Sequence, residues 1–300
     1  MQGSNASRIL TIATHTFTQL VRMKVFYFMG IFAVIAIASN FFDLPQHEGP
    51  ESVGASVLRS IKSWSLGAMT LFSVVLSIVA TALLLPKDVE DRTLYTILAK
   101  PVPRIDYLAG KLLGVLLLVF VSLALMDLLM VAVLQIRTTM VVAQQAEMAK
   151  AMGWPQDAID SLRADTLASG PNAALQGAVL AVFLRAVIMA SLALLISTFS
   201  SSTLFTTIVS FLVYFIGHFQ ADARDIYLHS GQAGEGLFAR LASLLLSLVL
   251  PDFQLFNVID AVIEGQALPL LTMGKLALVS LYYALFFTIA SWFVFSDKEF

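Results

Sequence analysis

The ionisable side chains that stand within apolar parts of this sequence are few, and they lie far apart. Asp127 interrupts one long apolar run, and Arg185 interrupts another. A carboxylate or a guanidinium is costly in hydrocarbon unless it pairs with an opposite charge or faces a cavity. Measured from the outer ends of two neighbouring helices, the two residues lie at depths that agree within about one helical turn. We therefore expect Asp127 and Arg185 either to form an ion pair inside a helical bundle or to line a translocation pathway.

No other group of residues has the spacing of a catalytic or metal site. His218 and Asp222 lie four residues apart and His229 follows, but such a set without cysteine or a Glu cluster makes a poor metal site. The sequence contains neither H-E-x-x-H nor G-x-S-x-G. The Ser-rich turn at residues 197–202 is better explained as a polar hairpin than as a nucleophile. We expect no catalytic residue and no metal-binding residue in this chain.

The composition is that of an integral membrane protein. Of 300 residues, 58% are hydrophobic and 13% are charged, and the mean hydropathy is +0.85. Crossing about 30 Å of hydrocarbon takes roughly 20 apolar residues. Runs that reach or approach this length lack the alternation of barrel strands, which predicts an all-α bundle in one membrane domain covering residues 1–300. The six predicted transmembrane helices lie at about residues 25–42, 64–86, 111–136, 173–198, 203–220 and 274–296.

Charge and cysteine content argue against nucleic-acid binding and exclude thiol chemistry. The formal net charge of −2 does not favour nucleic acid as a partner. The chain contains no cysteine, which excludes disulfide bonds and thiolate chemistry. The triplet Ala36-Ile37-Ala38 resembles a signal-peptide cleavage site, but it lies inside the first apolar run after a long polar lead. We expect this first helix to be retained.

Residues 87–111, KDVEDRTLYTILAKPVPRIDYLAGK, place nine charged side chains between two predicted spans. Asp88 is positioned to cap a short helix, and acidic residues follow in its first turn, where the backbone amides favour anions. Leu94, Ile97 and Leu98 fall on one helical stripe, and the prolines after it end the helix. An apolar stripe surrounded by charges favours a groove on another protein. The alternative is a helix that lies on the bilayer or on its own bundle.

The distribution of basic residues predicts the orientation. An even number of spans puts both termini on one side of the membrane. Arg22 and Lys24 precede the first span, and five basic residues lie within residues 87–111. Since short cytoplasmic loops are enriched in Lys and Arg, we expect both termini and this loop to be cytoplasmic, with the bundle in the plasma membrane, here a bacterial inner membrane.

The N-terminal segment, residues 1–24, is predicted to form an interfacial helix. Its apolar side chains recur at helical spacing and polar side chains fill the remaining face. This pattern is typical of a helix that lies in the membrane interface before the chain turns into the bilayer. The alternative is a poorly ordered tail.

Three regions are predicted on the outer side. Residues 43–62 are interpreted as a short loop. Residues 137–172 are interpreted as two short helices, which Gly153 and Pro155 separate. Residues 221–271 include an apolar part that is too short to span, which predicts a re-entrant or surface-lying helix.

The sequence around the charged loop resembles a motif of known transporters. Glu90 to Gly114 follow the pattern E-x-x-T-L-x-x-I-L-x-K-P-V-x-R-x-x-x-L-x-G-K-x-L-G. This resembles the signature of type 2 ABC transporter permeases, the membrane subunits of ATP-binding-cassette exporters. The last residues, LYYALFFTIASWFVFSDKEF, resemble the closing span of the same family. Arg92 is a departure, since Gly commonly precedes the Thr there. With the six spans and the N-terminal helix, the resemblance covers nearly the whole chain.

The resemblance implies a permease subunit that couples ATP hydrolysis to the export of a substrate. In this family the loop is the coupling helix that docks into the nucleotide-binding subunit. The residues that would make this contact here are Asp88, Glu90, Asp91, Arg92, Thr93, Leu94, Ile97, Leu98, Lys100, Pro101 and Arg104. The implied partners are a cytoplasmic ABC ATPase subunit, which would bind ATP and Mg, and a second permease copy or a paralogue.

The chain itself lacks the residues for ATP hydrolysis. Gly110-Lys111 and Gly274-Lys275 are each followed by Leu, so the phosphate-binding pattern G-x-x-x-x-G-K-[ST] is missing from the sequence. We therefore expect no enzyme activity and no cofactor in this chain. Two other interpretations stay open. A secondary transporter would favour more intramembrane charges or Gly/Pro-broken spans, and a non-transporting membrane scaffold would use the same loop to dock a cytoplasmic partner.

Overall fold

The computed structural model describes residues 5–38, 50–90, 103–200, 202–230, 249–266 and 268–296. Within these ranges the secondary structure is helical and contains no strand, so the predicted all-α class is confirmed for the described residues. The elements are α1 (Asn5–Val21), α2 (Lys24–Ala38), α3 (Pro50–Glu90), α4 (Arg104–Ala151), α5 (Gln156–Ala168), α6 (Ala173–Phe199), α7 (Thr203–Ser230), a 3-10 turn (Gln254–Phe256), α8 (Ile259–Ile263) and α9 (Leu270–Ser296).

Five helical segments are long and apolar enough to cross a membrane, which indicates a membrane-embedded protein. These segments are Ser56–Leu84, Arg104–Ala151, Gln156–Phe199, Thr203–Gln220 and Leu270–Ser296. They correspond to five of the six predicted spans. The first predicted span begins with α2, which has 15 residues and is shorter than the roughly 20 that a span needs. The residues that follow α2 lie outside the described part of the chain.

Three helices form the centre of the bundle, and the others pack around them. α3, α4 and α6 contact one another; α1 packs against α4, and α9 packs against α6. α2 lies along α3 and α4, whereas α7 lies along α3 and α6. The bundle end at which α3 ends and α4 begins is called the loop end below. The buried apolar residues form one cluster towards α1 and α4, and a second towards α7 and α9.

Several helices extend further than predicted. α3 begins at Pro50, so most of the loop predicted at residues 43–62 is helical. α4 continues to Ala151, so the first of the two predicted outer helices is a continuation of the span. The Ala-, Gln- and Met-rich sequence after the apolar run consists of good helix formers, and α5 packs against this extension. The break at Gly153, where φ is +73°, is confirmed, and α5 follows it.

Candidate functional site

Most of the residues predicted to dock a partner lie outside the described part of the chain. These are Asp91, Arg92, Thr93, Leu94, Ile97, Leu98, Lys100 and Pro101. Asp88 and Glu90 lie in the last turn of α3, so the predicted start of a new helix at Asp88 is wrong. Extending an existing helix by a turn costs less than nucleating a new one, and α3 therefore continues to Glu90. The docking contact itself stays a prediction.

Arg104, the last of the predicted docking residues, begins α4 and joins it to the end of α9. Its Nη1 atom donates hydrogen bonds to the carbonyl oxygens of Phe295, at 2.7 Å, and Ser296, at 2.6 Å. The guanidinium carbon lies 5.9 Å from the centroid of the Phe295 ring, which stacks on Tyr107 at 6.1 Å. The last carbonyls of a helix lack partners within the helix, and a cation there also interacts favourably with the helix dipole. Arg104 therefore fixes the start of α4 to α9.

An ion pair joins the start of α4 to α1. Arg8 Nε lies 3.3 Å from Asp106 Oδ2, and the Asp106 side chain is only 7% exposed. The N–H is not aligned for a hydrogen bond, so the contact is electrostatic. Arg8 also donates a hydrogen bond to Asn5 Oδ1. Because removing one member of such a pair leaves a buried charge uncompensated, the contact favours one position of α1 along α4.

Two glycines allow α1 to cross α4 at close range. A Cβ atom on Gly110 would lie 2.7 Å from the Ile12 Cβ atom. A Cβ atom on Gly114 would lie 2.6 Å from the Thr16 Cβ atom and 2.8 Å from the carbonyl oxygen of Ala13. Glycines four residues apart are a common means of close helix packing in membrane proteins. The N-terminal helix was predicted, but its packing on α4 was missed, although the Gly-x-x-x-Gly spacing is visible in the sequence.

These contacts form one structure at the loop end, which we call the loop junction. It consists of Arg104, Asp106, Tyr107, Gly110 and Gly114 of α4, Arg8, Ile12 and Thr16 of α1, and Phe295 of α9. The junction begins immediately after residues 91–102, the part of the charged loop that the structure does not describe. A displacement of this loop would therefore act on α1, α4 and α9 together.

The structure gives Asp127 and Arg185 different partners. Asp127 Oδ1 accepts a hydrogen bond from Gln176 Nε2 at 3.2 Å. Gln176 lies nine residues from Arg185 on α6, which is about 13 Å along the helix axis. The predicted ion pair is therefore wrong. The predicted depths assume that each helix ends with its apolar run, whereas α4 continues to Ala151. A role of the two residues in a translocation pathway stays a prediction.

Arg185 instead holds a segment that is not α-helical, the residues before α8 that include the 3-10 turn. Its side chain is buried, with 4% exposure, and Nη2 donates a hydrogen bond to the carbonyl oxygen of Phe253 at 3.2 Å. Tyr214 of α7 lies close enough to interact with the same guanidinium. Residues 250–256, which we call the inserted segment, lie between α6, α7 and α9 at this level. The re-entrant or surface-lying helix predicted from the apolar residues 241–250 lies mostly outside the described residues. Nothing in the sequence indicated that Arg185 contacts the residues that follow it.

Gly217 provides the space for the inserted segment. A Cβ atom on Gly217 would lie 2.6 Å from Phe253 Cδ2 and 2.7 Å from the carbonyl oxygen of Pro251. The Phe253 N–H donates to the carbonyl oxygen of Gly217 at 3.2 Å, and its fully buried ring lies 5.4 Å from the Tyr214 ring. At the other side, the Tyr283 hydroxyl of α9 donates to the carbonyl oxygen of Leu250 at 3.2 Å. Backbone groups outside helices need such partners in an apolar bundle.

Comparison with known proteins does not assign the chain to a family. No family model matches the sequence, and no curated protein matches it significantly. The class that the fold supports is a helical, membrane-embedded protein with a loop junction at one end and an inserted segment packed between its helices.

Proposed function

We propose that this chain is the transmembrane permease subunit of an ATP-driven exporter of the type 2 ABC transporter class, working with a separate ATPase subunit. The observation that carries the proposal is the loop junction. The charged loop, with its predicted apolar stripe, leads into α4, and Arg104, Asp106 and the two glycines of α4 connect this helix to α1 and α9.

In this proposal, the first predicted span completes a six-helix bundle. α2 begins it, and the charged loop and both termini face the cytoplasm, as the basic residues suggest. Two permease copies, or this chain and a paralogue, would enclose the substrate pathway. Asp127 and Arg185 are the ionisable residues that would lie nearest to it.

The mechanism follows from the contacts at the loop junction. ATP binding would bring two ATPase subunits together and displace the docked loop of each permease. Because Arg104 is hydrogen-bonded to the end of α9, and Asp106 and Gly114 contact α1, a movement of α4 at this end would carry the other two helices with it. The loop displacement would thus tilt a group of helices rather than bend one. The chain would contribute no bond chemistry, and ATP and Mg would be bound by the partner.

The test is co-purification with a soluble P-loop ATPase encoded beside this chain. Leu94→Asp combined with Leu98→Asp places two carboxylates on the apolar stripe. We expect this variant to lose the ATPase during purification and to lose any stimulation of ATP hydrolysis, because a charge buried in a docking groove is strongly unfavourable.

The matched control adds the same number of carboxylates to the opposite side of the predicted stripe, as Thr96→Asp with Ala99→Asp. This control should retain the ATPase. If both double variants bind and stimulate the ATPase like the unmodified chain, the docking proposal is wrong. Substrate movement in vesicles that contain this chain without any ATPase would instead favour a secondary transporter. Retention of the ATPase without any substrate movement would favour a scaffold.

A further inference from the structure

A second polar region lies at the opposite end of the bundle from the loop junction. A cavity of about 270 Å³ is enclosed by the first part of α3, the connection between α5 and α6, and the end of α8. Its lining includes Arg59, Lys62, Asn172 and Glu264. Small-molecule pockets are typically about 300–1,000 Å³, so this cavity fits a compact polar group rather than a large ligand.

Lys62 contributes a buried positive charge to this cavity. The residue is buried, with 3% exposure, yet it lines the cavity. Among the residues that the structure describes, no hydrogen bond or ion pair to its ammonium group is found. Arg59, one turn earlier on the same helix, adds a second positive charge that acts on Lys62. A buried charge without a partner is costly, and an anion would offset this cost.

The N-terminus of α6 adds to the positive potential. Asn172 caps this 27-residue helix by accepting a hydrogen bond from the Leu175 N–H at 3.2 Å. Free N–H groups and the helix dipole at such an end favour an anion. Because Asn172 Oδ1 is occupied by the cap, the amide nitrogen is the group that Asn172 offers as a donor. Glu264 is the acidic residue of the lining, and its carboxylate accepts a hydrogen bond from Gln266 at 3.4 Å. Two basic residues against one acidic residue leave the cavity positive.

We expect the cavity to lie at the height of lipid headgroups. The candidate span of α3 ends at Leu84. A helix crosses about 30 Å of hydrocarbon in roughly 20 residues, which places the other edge of the hydrocarbon about 20 residues before Leu84. This edge falls beside Trp64, whose side chain is 68% exposed. Exposed Trp residues are enriched at the membrane–water interface. Lys62 is therefore expected just outside the hydrocarbon, where phosphate groups are concentrated.

We propose that this cavity is a binding site for a phosphate group, held by Lys62 and Arg59 with donors from the start of α6. The phosphate group belongs either to the headgroup of an anionic lipid or to a soluble phosphate. The site does not depend on the proposed transport function, and its loss would leave the contacts of the loop junction unchanged.

The experiment measures the thermal unfolding of the full-length chain in a neutral detergent, because a ligand that binds the folded state raises the midpoint. One series adds inorganic phosphate and compares it with chloride at equal ionic strength. A second series adds short-chain phosphatidylglycerol and compares it with phosphatidylcholine of the same chain length. The variants are Lys62→Met, which keeps the apolar stem, Arg59→Gln, and Arg163→Gln as a control on the exposed face of α5.

We expect a concentration-dependent stabilisation of the unmodified chain and of Arg163→Gln. In Lys62→Met and Arg59→Gln the apparent Kd should rise by about tenfold or more, since each removes a charge-assisted contact. A response to phosphatidylglycerol alone supports a lipid headgroup, and a response to inorganic phosphate as well supports a soluble source. If neither probe stabilises the unmodified chain, the proposal is wrong. It is also wrong if Arg59→Gln, an exposed change that should fold normally, and Lys62→Met both bind like the control.

Discussion

Arg104 and Arg185 make the same kind of contact in two very different regions of the molecule. Each guanidinium donates hydrogen bonds to backbone carbonyl oxygens from a later part of the chain: Phe295 and Ser296 for Arg104, and Phe253 for Arg185. Arg104 is partly exposed at the end of two helices. Arg185 lies fourteen residues from the end of α6, which is about 21 Å along the axis.

We expect the free energy that such a hydrogen bond contributes to folding to depend on how well its carbonyl oxygen is hydrated when the arginine is removed. The Ser296 carbonyl at the exposed end of α9 can bind water when Arg104 is absent, so at Ser296 only the net free energy of the hydrogen bond is lost. Phe253 is fully buried among apolar residues of α6, α7 and α9. Loss of the Arg185 hydrogen bond leaves the Phe253 carbonyl without that partner in an apolar bundle, and a buried polar group without a partner lowers the free energy of unfolding by more.

The largest effect is therefore expected from Arg185→Leu. This change removes the donor to Phe253 and should lower the free energy of unfolding by about 2–3 kcal/mol. A clear drop in the thermal unfolding midpoint in detergent would be the measurement. Gly217→Ala should also lower the unfolding midpoint, because its Cβ atom would lie 2.6 Å from Phe253 Cδ2 and displace the inserted segment.

Arg185→Lys is the matched control for that comparison. It retains the positive charge and a donor but shortens the reach and loses the planar fork, so its midpoint should lie between those of Arg185→Leu and the unmodified chain. If Arg185→Leu unfolds at the unmodified temperature, the inserted segment does not depend on Arg185, and the contrast between the two arginines fails.

A smaller but still clear effect is expected from Gly114→Leu at the loop junction. The new side chain cannot fit where a Cβ atom alone would already lie 2.6 Å from Thr16. Overpacking of this kind costs about 1–3 kcal/mol, and separating α1 from α4 is the simplest way to relieve it. Limited trypsin cleavage after Arg8 and Arg22 should become faster.

Gly67→Leu on α3 is the control, because no atom lies within 4 Å of the position where its Cβ would be. Its cleavage rate at Arg8 and Arg22 should match that of the unmodified chain. Equal cleavage of Gly114→Leu and Gly67→Leu would contradict the close packing of α1 on α4.

These two regions also differ in how far the sequence could predict them. The apolar periodicity predicted a helix near the N-terminus, and the spacing of Gly110 and Gly114 is by itself an indication of close helix packing. The partner of Arg185 has no such signal. It is a backbone carbonyl 68 residues away, and every residue has a carbonyl, so residue type says nothing about which one is used.

The error in the predicted pairing of Asp127 and Arg185 has a related cause. Opposite charges in two apolar runs suggested a pair, and the depths were compared by assuming that helices end where the apolar runs end. α4 continues well past its apolar run to Ala151. Hydropathy locates the hydrocarbon but does not locate the end of a helix, because polar residues such as Gln, Glu and Lys are good helix formers.

The smallest effect is expected from Arg104→Gln. Because water can replace the guanidinium at the end of α9, the free energy of unfolding should fall by no more than about 1 kcal/mol. The measured quantity is the midpoint of thermal unfolding, compared with that of Arg185→Leu in the same detergent. A shift as large as that of Arg185→Leu would mean that the end of α9 is as poorly hydrated as the interior, and the two arginines would then be equivalent. A small shift together with a loss of ATPase stimulation would show that Arg104 matters for coupling to the ATPase far more than for folding.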